Sequence, residues 1–556
     1  MKAYPGLIQT TRGQLYAALW DSQSRSVVIH PGIEPGSVVT PLALRCSVPL
    51  GSRLKLVRRI PNRCLNSLES LWDRLEEPCM KTHLLECMEL LKRARAAFQA
   101  GRAFDESFRR VQLEALVRML VEHECDFVDA LGRDLHKPRF ETVVSELILV
   151  KNEALHAINN LKKWMEPQQV ERNLTTTLDE CLVVCEPLGV VLIVGAWCSP
   201  VQLCLVPMVG AIAAGNCVIL NPSECSSHTS ELLHHLIPSY LDNECYHVTL
   251  AGVNDLTEIV DLKFDHVFFT GNREDGGRVA QAAAHTLTPV TLVLGGGKNP
   301  CYVDQQCDIT TTARRITWAR FHNAGQSMVA PDYVLCHAEA KAQLLQALRC
   351  CLLQFYGSNP QESRSFGRIV NLENLHRTTD LLRRSGKVAV GGQVNEADKY
   401  IAPTILSDVI DSDPIMQQEV FGPVLPILTV NSIDEAISFI SRREKPLCVY
   451  AYSSNNKVIS RLMSETSSGS FCSNDSVLQS LMVVLPFGGV GASGMGSYHG
   501  HYSFDTFSHR KSCLLRNTCI ECVTYLRYPP YEEHNLSLMT WASSLSQKSQ
   551  GWCQIL

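Results

Sequence analysis

Residues 189–220 read GVVLIVGAWCSPVQLCLVPMVGAIAAGNCVIL, and their pattern gives the strongest indication of the fold. Two short apolar runs flank a longer apolar segment, and Pro200 and Gly215 mark the junctions between them. The pattern predicts a buried strand over 189–194, a buried helix over 200–214 and a second strand over 216–220. Because prolines and glycines divide the stretch, we do not expect it to form a membrane-spanning helix.

The alternation of strand and helix continues on both sides of this stretch. Helical periodicity begins near Met88 and runs to about Trp164. Further strands are predicted over 182–185, 247–251, 266–269, 290–294 and 333–336, and further helices over 229–241, 256–260, 278–285, 311–321 and 341–355. Such alternation is typical of a doubly wound α/β fold, in which ligands bind at the carboxyl ends of parallel strands.

Composition limits the classes of function. The chain has 556 residues, of which 45% are hydrophobic and 19% charged, and its formal net charge is -5. This apolar fraction excludes a wholly disordered chain, and the length predicts about two to four domains. Proteins that bind nucleic acid usually carry a basic surface, so this negative net charge gives no support to a nucleic-acid partner. Residues 1–85 are basic and show little periodicity, so they predict an extension of unclear structure.

Cysteine usage points to the cytoplasm. The chain has 23 cysteines, yet its N-terminus lacks the apolar core of a secretory signal. We therefore expect reduced thiols rather than disulfides. Cys519 and Cys522 form a C-x-x-C pair, but no second pair follows at a spacing suited to zinc. The sequence predicts no metal site.

Two glycine-rich runs are candidates for a phosphate-binding loop. Phe269–Gly276 follows a predicted strand and opens a predicted helix, whose N-terminus would attract a pyrophosphate. Glu274 and Asp275 would repel an anion at the same place. Gly489–Gly494 fits G-x-G-x-x-G, but it does not connect a strand to a helix. This context favours a structural loop.

The chain ends in a lipidation motif. Cys553-Gln-Ile-Leu556 fits C-a-a-X, and a terminal leucine favours geranylgeranylation. The polar residues before Cys553 would leave it accessible to a transferase; the alternative is a chance match in a free tail. A single prenyl chain predicts reversible attachment of a cytoplasmic protein to membranes or lipid droplets.

Several phrases follow one another in a characteristic order. They are EPLGVVLIVGAW (186–197), NPSE (221–224), FFTG (268–271), KNPCYVD (298–304), EVFGP (419–423), PFGGVG (486–491) and SFDTFSH (503–509). From about Met88 to about Arg516 the chain resembles the class 3 branch of the aldehyde dehydrogenase superfamily, and its terminal motif resembles the prenylated B-type members.

The resemblance implies the α/β aldehyde dehydrogenase fold. That fold has a Rossmann-like NAD-binding domain, a second α/β catalytic domain and a small oligomerisation segment. The implied division is an extension over 1–85, a helical part with the NAD-binding domain over 86–294, a catalytic domain over 295–492, a bridging segment over 493–530 and a polar tail over 531–556.

The resemblance also implies a chemistry, from which this sequence departs. The family oxidises aldehydes with NAD or NADP: a Cys thiolate attacks the carbonyl, a backbone N–H and an Asn amide hold the oxyanion, and a Glu activates water. Here Met328 stands at the nucleophile position, Val293 at the general-base position and Cys198 at the oxyanion-Asn position. One extra glycine follows in the loop after Val293.

The cofactor positions are better preserved. Five residues match the family: Glu224, Gly271, Gly276, Glu419 and Phe421. Glu419 and Phe421 are expected to contact the nicotinamide ribose and ring. Asn221 replaces the lysine that reaches the adenosine ribose. The resemblance therefore implies NAD or NADP binding that is weakened at the adenosine end.

Three functions remain open on the sequence alone. The first is a class 3 B-type aldehyde dehydrogenase by descent, acting on medium- or long-chain lipid aldehydes, with catalysis lost or severely impaired. The second is a non-catalytic prenylated subunit that binds dinucleotide or pairs with an active paralogue. The third is an enzyme that uses Cys198 as its thiol. By analogy with the family we expect a homodimer or a heterodimer.

Overall fold

The computed structural model describes the backbone of residues 6–9, 15–21 and 26–31, and residues 83–544 apart from 173–175, 178, 253–254, 517 and 519–524. Cys519, Cys522 and Cys553 lie outside the described residues. The chain divides into two units, residues 1–75 and residues 76–556. Within the described part, no helix is long and apolar enough to cross a membrane.

The first unit contains a small antiparallel sheet. Its strands are β1 (Gly6–Gln9), β2 (Leu15–Asp21) and β3 (Ser26–Pro31), paired in the order β1-β2-β3. The sequence analysis predicted only an extension of unclear structure here. Short β-branched runs such as Val27-Val28-Ile29 in β3 fit the strands that are observed.

The second unit contains the remaining strands. They are β4 (Gln168–Gln169), β5 (Glu180–Pro187), β6 (Val190–Val194), β7 (Cys217–Asn221), β8 (Tyr246–Val248), β9 (His266–Asn272), β10 (Val290–Gly295), β11 (Pro300–Val303), β12 (Tyr333–His337), β13 (Lys387–Val390), β14 (Val394–Asn395), β15 (Tyr400–Ile401), β16 (Thr404–Ser407), β17 (Val424–Val430), β18 (Cys448–Tyr452), β19 (Ser470–Ser473), β20 (Gly494–Met495) and β21 (Ser508–Leu515).

Helices cover and connect these strands. They are 83–99, Glu106–Glu122, Glu124–Leu135, Arg139–Thr142, Ile148–Met165, Pro200–Ala214, Ser227–Tyr240, Leu256–Val260, Arg273–His285, Ile309–Phe321, Ala338–Tyr356, Leu372–Arg383, Pro414–Gln417, Ile433–Ser441, Asn456–Glu465, Gly500–Thr506 and Glu533–Ser543. A π-helical turn, Val143–Leu147, joins two of them.

Two large sheets form the body of the second unit. The first has the order β20-β10-β9-β6-β7-β8 and is parallel except for the β10–β20 pair. The second has the order β13-β16-β17-β12-β11-β18-β19 and is parallel except for the β13–β16 pair. A third sheet, β21-β5-β4, is antiparallel and brings residues 508–515 back to residues 180–187. These sheets confirm the predicted doubly wound α/β fold.

Residues 189–220 fold into the predicted strand, helix and strand. β6 and β7 are buried and pair in parallel, and the helix between them is buried at every position except Gln202. Pro200 opens the helix, where a fixed φ suits the first turn. Gly215 closes it with a φ of 90°, a conformation that favours glycine. This βαβ unit places residues 195–199 at the carboxyl end of β6.

Candidate functional site

The strand order of the first large sheet reverses between β6 and β9. In an open α/β sheet, the crevice at such a reversal is where ligands bind, outside the carboxyl ends of the strands. Trp197 and Cys198 follow β6, and Gly271 lies at the end of β9. Two of the predicted site residues, Cys198 and Gly271, therefore lie near the carboxyl ends of the strands that flank this crevice.

Cys198 is tied to the loop that carries Met328. The Asn323 side-chain amide donates one hydrogen bond to the Cys198 carbonyl, at 2.8 Å, and another to the Gln326 carbonyl, at 2.9 Å. Asn323, Ala324 and Gly325 all have positive φ values, 49°, 52° and 73°, so the chain turns sharply here. One side chain thus ties the backbone at Cys198 to the loop that leads to Met328.

The Cys198 thiol is poorly suited to act as a nucleophile. Only 3% of the residue is exposed. Burial raises the pKa of the thiol to about 12, and the nearby Lys137 ammonium opposes this only in part. Since the thiolate is the reactive form, the thiol stays protonated at neutral pH. This environment weighs against the third sequence-based hypothesis, an enzyme that uses Cys198.

Met328 lies in a well-fixed turn. Its carbonyl accepts a hydrogen bond from the Asn299 side chain at 2.8 Å, and the Ala330 carbonyl accepts a second at 3.0 Å. The Tyr450 hydroxyl donates to the Val329 carbonyl at 2.5 Å. The Met328 side chain is 8% exposed. The turn is therefore rigid, and it presents a thioether that has no proton to lose.

Val293 is a core residue. It lies in β10 between Thr270 of β9 and Gly494 of β20, and none of its surface is exposed. A valine offers no group that accepts a proton, so this position supplies no general base. Gly494 has a φ of 134° and packs against the Leu292 carbonyl. The Gly489–Gly494 run is thus a structural loop, as the sequence predicted.

A buried ion pair supports the Cys198 turn. Lys137 Nζ lies 2.5 Å from Glu146 Oε1, and both side chains are fully buried. Glu146 Oε2 accepts a hydrogen bond from the Val201 N–H at 2.8 Å, at the start of helix Pro200–Ala214. A carboxylate at a helix N-terminus is favoured by the unpaired N–H groups and the helix dipole. The pair therefore fixes where this helix, and the turn before it, begin.

Glu419 and Phe421 lie at the other side of the crevice. The Phe421 ring packs edge-on against Trp197, with 5.3 Å between ring centroids. Burial and the neighbouring Asp332 raise the pKa of Glu419 above that of an ordinary glutamate, against the influence of Lys298. Glu419 also lies so close to Gly295 that a side chain at Gly295 would collide with its carboxylate.

The extra glycine is accommodated by close backbone contacts. A Cβ at Gly296 would collide with the Ala492 carbonyl, and a Cβ at Gly297 with the Lys445 carbonyl. This loop lines a cleft of about 970 Å³, together with Arg273, Lys298 and Glu419 among others. Ligand pockets fall in this range of volume. The cleft connects the start of helix Arg273–His285 to Glu419, the two places where a pyrophosphate and a nicotinamide ribose are expected.

The run Phe269–Gly276 forms the predicted strand-to-helix junction. β9 ends at Asn272, whose side chain caps the helix by accepting from the Asp275 N–H at 2.8 Å. Arg278 forms ion pairs with Glu274 at 2.7 Å and with Asp275 at 3.4 Å, so part of their negative charge is offset. Gly276 is buried against Leu294 and lets the helix approach β10 closely.

Asn221 and Glu224 lie beyond the end of β7. The Asn221 side chain is 4% exposed, and its carbonyl oxygen accepts a hydrogen bond from the Ala251 N–H at 3.2 Å. Glu224 begins a short 3-10 turn, Glu224–Ser226, and is exposed. Asn221 therefore supports a backbone loop, at the position where the resemblance led us to expect a lysine.

Sequence reasoning missed three residues that build the site. They are Asn323, Lys137 and Glu146. The position of Asn323 just before the Gly325-Gln326 pair was an available signal. The sequence gave no signal for Lys137 and Glu146, because charged residues in a helical pattern usually face solvent. Among the described residues, no group of three or more His, Cys, Asp or Glu side chains is placed to hold a metal ion.

Comparisons with known proteins agree with this architecture. The aldehyde dehydrogenase family model matches residues 81–513. Human aldehyde dehydrogenase family 3 member B1 is 50% identical over 451 residues, which are 81% of this chain and 96% of that protein. Mouse aldehyde dehydrogenase family 3 member B2 is 50% identical over 448 residues, which are 81% and 93%. The substrate-bound structure of AldH from Staphylococcus aureus has 40% identity and a TM-score of 0.79, and covers 82% of this chain and 98% of that chain.

The match to the family model spans both large sheets and every candidate site residue in the described part of the chain. The chain belongs to the aldehyde dehydrogenase family, and its relatives in sequence are of class 3.

Proposed function

We propose that this chain is an aldehyde dehydrogenase family subunit that binds a nicotinamide dinucleotide but does not turn over aldehydes. The observation that carries the proposal is the thioether of Met328, at the position that the resemblance assigns to the family's nucleophile. The aldehydes that we propose it does not oxidise are the medium- or long-chain lipid aldehydes expected from the class 3 resemblance. Every step of the family reaction after substrate binding depends on a covalent bond to a thiolate sulfur.

The expected loss in catalytic rate indicates whether the enzyme would be impaired or inactive. Removing a nucleophile costs an enzyme roughly 10⁴- to 10⁶-fold in rate, and removing one oxyanion donor roughly 10²- to 10³-fold. These losses do not add up in full, because the groups act together. The first loss alone is enough to abolish useful turnover. Two further groups of the family mechanism are also absent. The buried valine at position 293 cannot act as the general base, and the protonated thiol at position 198 replaces the Asn amide that would hold the oxyanion.

The cleft supports the retention of dinucleotide binding. Arg273, at the N-terminus of its helix, and Glu419 both line the cleft, and Phe421, two residues after Glu419, packs against Trp197. A bound NAD or NADP would supply a hydride acceptor. The chain's own residues would orient the dinucleotide by accepting hydrogen bonds from ribose hydroxyls and by packing Phe421 against the nicotinamide ring.

The edge of the small sheet supports association with a second subunit. β21 pairs with β5 on one side and ends in Leu514 and Leu515, which are 55% and 56% exposed. A strand edge with exposed apolar residues is suited to pairing with another chain. We propose a homodimer or a heterodimer with an active paralogue as the assembled form.

Binding without turnover is the direct test of this function. The full-length protein should bind NAD in a calorimetric titration, yet form no NADH above background from a long-chain aldehyde. Cys198→Ser is the control for the alternative thiol. Clear NADH formation that is lost in Cys198→Ser would replace the proposal with an enzyme that uses Cys198.

Asn221→Lys should tighten NAD binding. A lysine that reaches the ribose adds a charge-assisted hydrogen bond worth roughly 1.5–3 kcal/mol, while loss of the bond to Ala251 costs about 0.5–1.5 kcal/mol. We expect a gain of about tenfold in affinity. Asn221→Ala, which loses the loop contact and adds nothing, is the matched control. An unchanged or weaker affinity in Asn221→Lys would mean that the ribose does not lie beside residue 221.

Attachment to membranes or lipid droplets is proposed on the C-a-a-X motif alone. A geranylgeranyl group on Cys553 buries CH₂ groups at about 0.8 kcal/mol each, which gives reversible binding without a second signal. With a fluorescent tag at the N-terminus, the wild-type protein should divide between cytosol and membranes, and Cys553→Ser should be cytosolic. Equal membrane fractions for both forms would mean that the motif is silent.

A further inference from the structure

We infer that one exposed face of the helix over residues 139–165 binds anionic membranes and acts as a second signal beside the prenyl group. This inference rests on the proposed attachment through Cys553, and it names the part of the folded domain that touches the lipid. We call this surface the outer face. It consists of four apolar and three basic side chains: Phe140, Val144, Ile148, Leu155, Lys151, Lys162 and Lys163.

The apolar side chains form a stripe along one side of the helix. Residues 139–165 are one continuous helix that contains a π-helical turn. Phe140, Val144 and Ile148 follow one another at a spacing of four, and Leu155 comes seven residues after Ile148, so the four lie along one line. Their exposed fractions are 72%, 40%, 39% and 39%. Exposed apolar residues that line up, instead of scattering singly, mark an interaction surface.

Basic groups extend the same stripe. Lys151 and Lys162 stand at helical spacings of three and seven from members of the stripe, and Lys163 is next to Lys162. Within the described part of the chain, none of these three lysines forms an ion pair with a carboxylate. Arg139, at the start of the helix, is paired with Glu124 at 2.5 Å, so its charge is partly offset. The lysines therefore supply the positive charge of the outer face.

The carboxylates of this helix point the other way. Its three acidic residues are Glu141, Glu146 and Glu153. Glu146 and Glu153 are buried. The Glu141 side chain is only 12% exposed and lies 3.4 Å from His322. Glu166, the first residue after the helix, is exposed. Along the helix itself, the basic groups thus face solvent while the acidic groups face the protein.

An anionic bilayer is the partner that this face fits best. The whole chain has a formal net charge of -5, so it gains nothing from general attraction to an anionic surface, and only a locally basic face allows close approach. Apolar side chains can enter the interface while lysines reach up to the headgroups. A single prenyl chain gives weak and reversible binding, and a basic patch is one of the second signals that make it stable.

The opposite side of the same helix supports the candidate site. Glu146 accepts the hydrogen bond from the Val201 N–H at 2.8 Å, just after the Cys198 turn. A helix with its side chains is about 10–12 Å wide. Docking through the outer face would therefore place the Cys198 turn about one helix diameter from the lipid headgroups.

Vesicle binding tests the outer face directly. The full-length protein, both geranylgeranylated and unmodified, is sedimented with vesicles of phosphatidylcholine alone or of phosphatidylcholine with one-third phosphatidylserine. Both forms should prefer the phosphatidylserine vesicles, the unmodified form with lower affinity. Because each lysine near an anionic surface contributes roughly fivefold, Lys162→Gln combined with Lys163→Gln should reduce this preference by roughly 25-fold. Phe140→Ser should weaken binding to both kinds of vesicle by about 10-fold.

Matched control variants change exposed residues elsewhere. Lys387→Gln combined with Lys457→Gln removes the same charge, and Leu353→Ser removes an apolar side chain that is 60% exposed on helix Ala338–Tyr356. Vesicle binding should be unchanged in both controls. Equal loss of binding in the controls and in the outer-face variants would mean that total charge and apolar surface matter, and it would overturn the inference.

The remaining outcomes separate the outer face from the prenyl group. Binding that needs the prenyl group but responds neither to phosphatidylserine nor to Phe140→Ser would overturn the inference and leave attachment through Cys553 intact. Equal binding of unmodified and geranylgeranylated protein would overturn that attachment, while a loss in Phe140→Ser would still support the outer face. If Phe140→Ser lowers the membrane fraction in cells but not on vesicles, the face binds a protein, and the inference is wrong.

Discussion

The combined variant Met328→Cys, Val293→Glu and Cys198→Asn is expected to gain aldehyde dehydrogenase activity that no single substitution restores. Met328→Cys supplies the thiol, Cys198→Asn the second oxyanion donor, and Val293→Glu the base that hydrolyses the thioester. The Met328 turn is already held by Asn299 and Tyr450, so a new thiol would stand in a fixed place. Because the groups act as a unit, the triple variant should exceed Met328→Cys alone by at least about 100-fold.

The control for this rescue keeps the other two substitutions. Met328→Ser in the same background removes the thioether without supplying a thiolate, and should stay inactive. Rates are measured as NADH formation per folded protein, since a glutamate in the buried strand β10 will lower stability. Full recovery of activity by Met328→Cys alone would mean that the general base at position 293 and the oxyanion donor at position 198 are not needed.

Glu146→Ala is expected to destabilise the second unit by about 3–5 kcal/mol. The substitution leaves the fully buried Lys137 ammonium without its partner, and it removes the acceptor at the start of helix Pro200–Ala214. Leaving a buried charge without an ion-pair partner is among the most costly of point changes. The measurement is the free energy of unfolding in urea, followed by tryptophan fluorescence.

Two further variants test whether the loss of stability comes from the unpaired buried charge. Asp129→Ala breaks an exposed ion pair with Arg133, at 2.6 Å, and should cost less than about 1 kcal/mol. Lys137→Met combined with Glu146→Leu removes both charges and should recover most of the stability lost in Glu146→Ala. A cost below about 1 kcal/mol for Glu146→Ala would mean that the pair does not fix this turn.

The order of elements in the first large sheet could be predicted closely from sequence. The helices over 200–214 and 256–260 have both ends where the pattern placed them, and each predicted strand from 182 to 294 is present. Buried parallel strands leave a strong signal, because they are short, β-branched runs bounded by Gly, Pro or Asn. The structure places Gly271 in β9 and Glu419 beside Gly295, and contact of either residue with a cofactor stays a prediction.

Polar helix ends and long-range contacts could not be predicted. The helix expected from Arg278 begins at Arg273, because its first turn is capped by Asn272 and contains no apolar residue to mark it. The burial of Glu146 depends on Lys137, on a π-helical turn and on the N-terminus of a helix 54 residues away in sequence. The high pKa of Cys198 depends on how its surroundings pack. Local sequence patterns cannot predict contacts between residues that are far apart in the chain.

Intact-protein mass spectrometry after incubation with a long-chain aldehyde and NAD tests the central claim most directly, because it detects the acyl-enzyme itself. We predict that the wild-type protein gains no acyl mass, because Met328 cannot form a thioester and the buried Cys198 thiol stays protonated. Met328→Cys should retain the acyl group, since Val293 provides no base to release it. An acyl group on any cysteine of the wild-type protein would contradict the account.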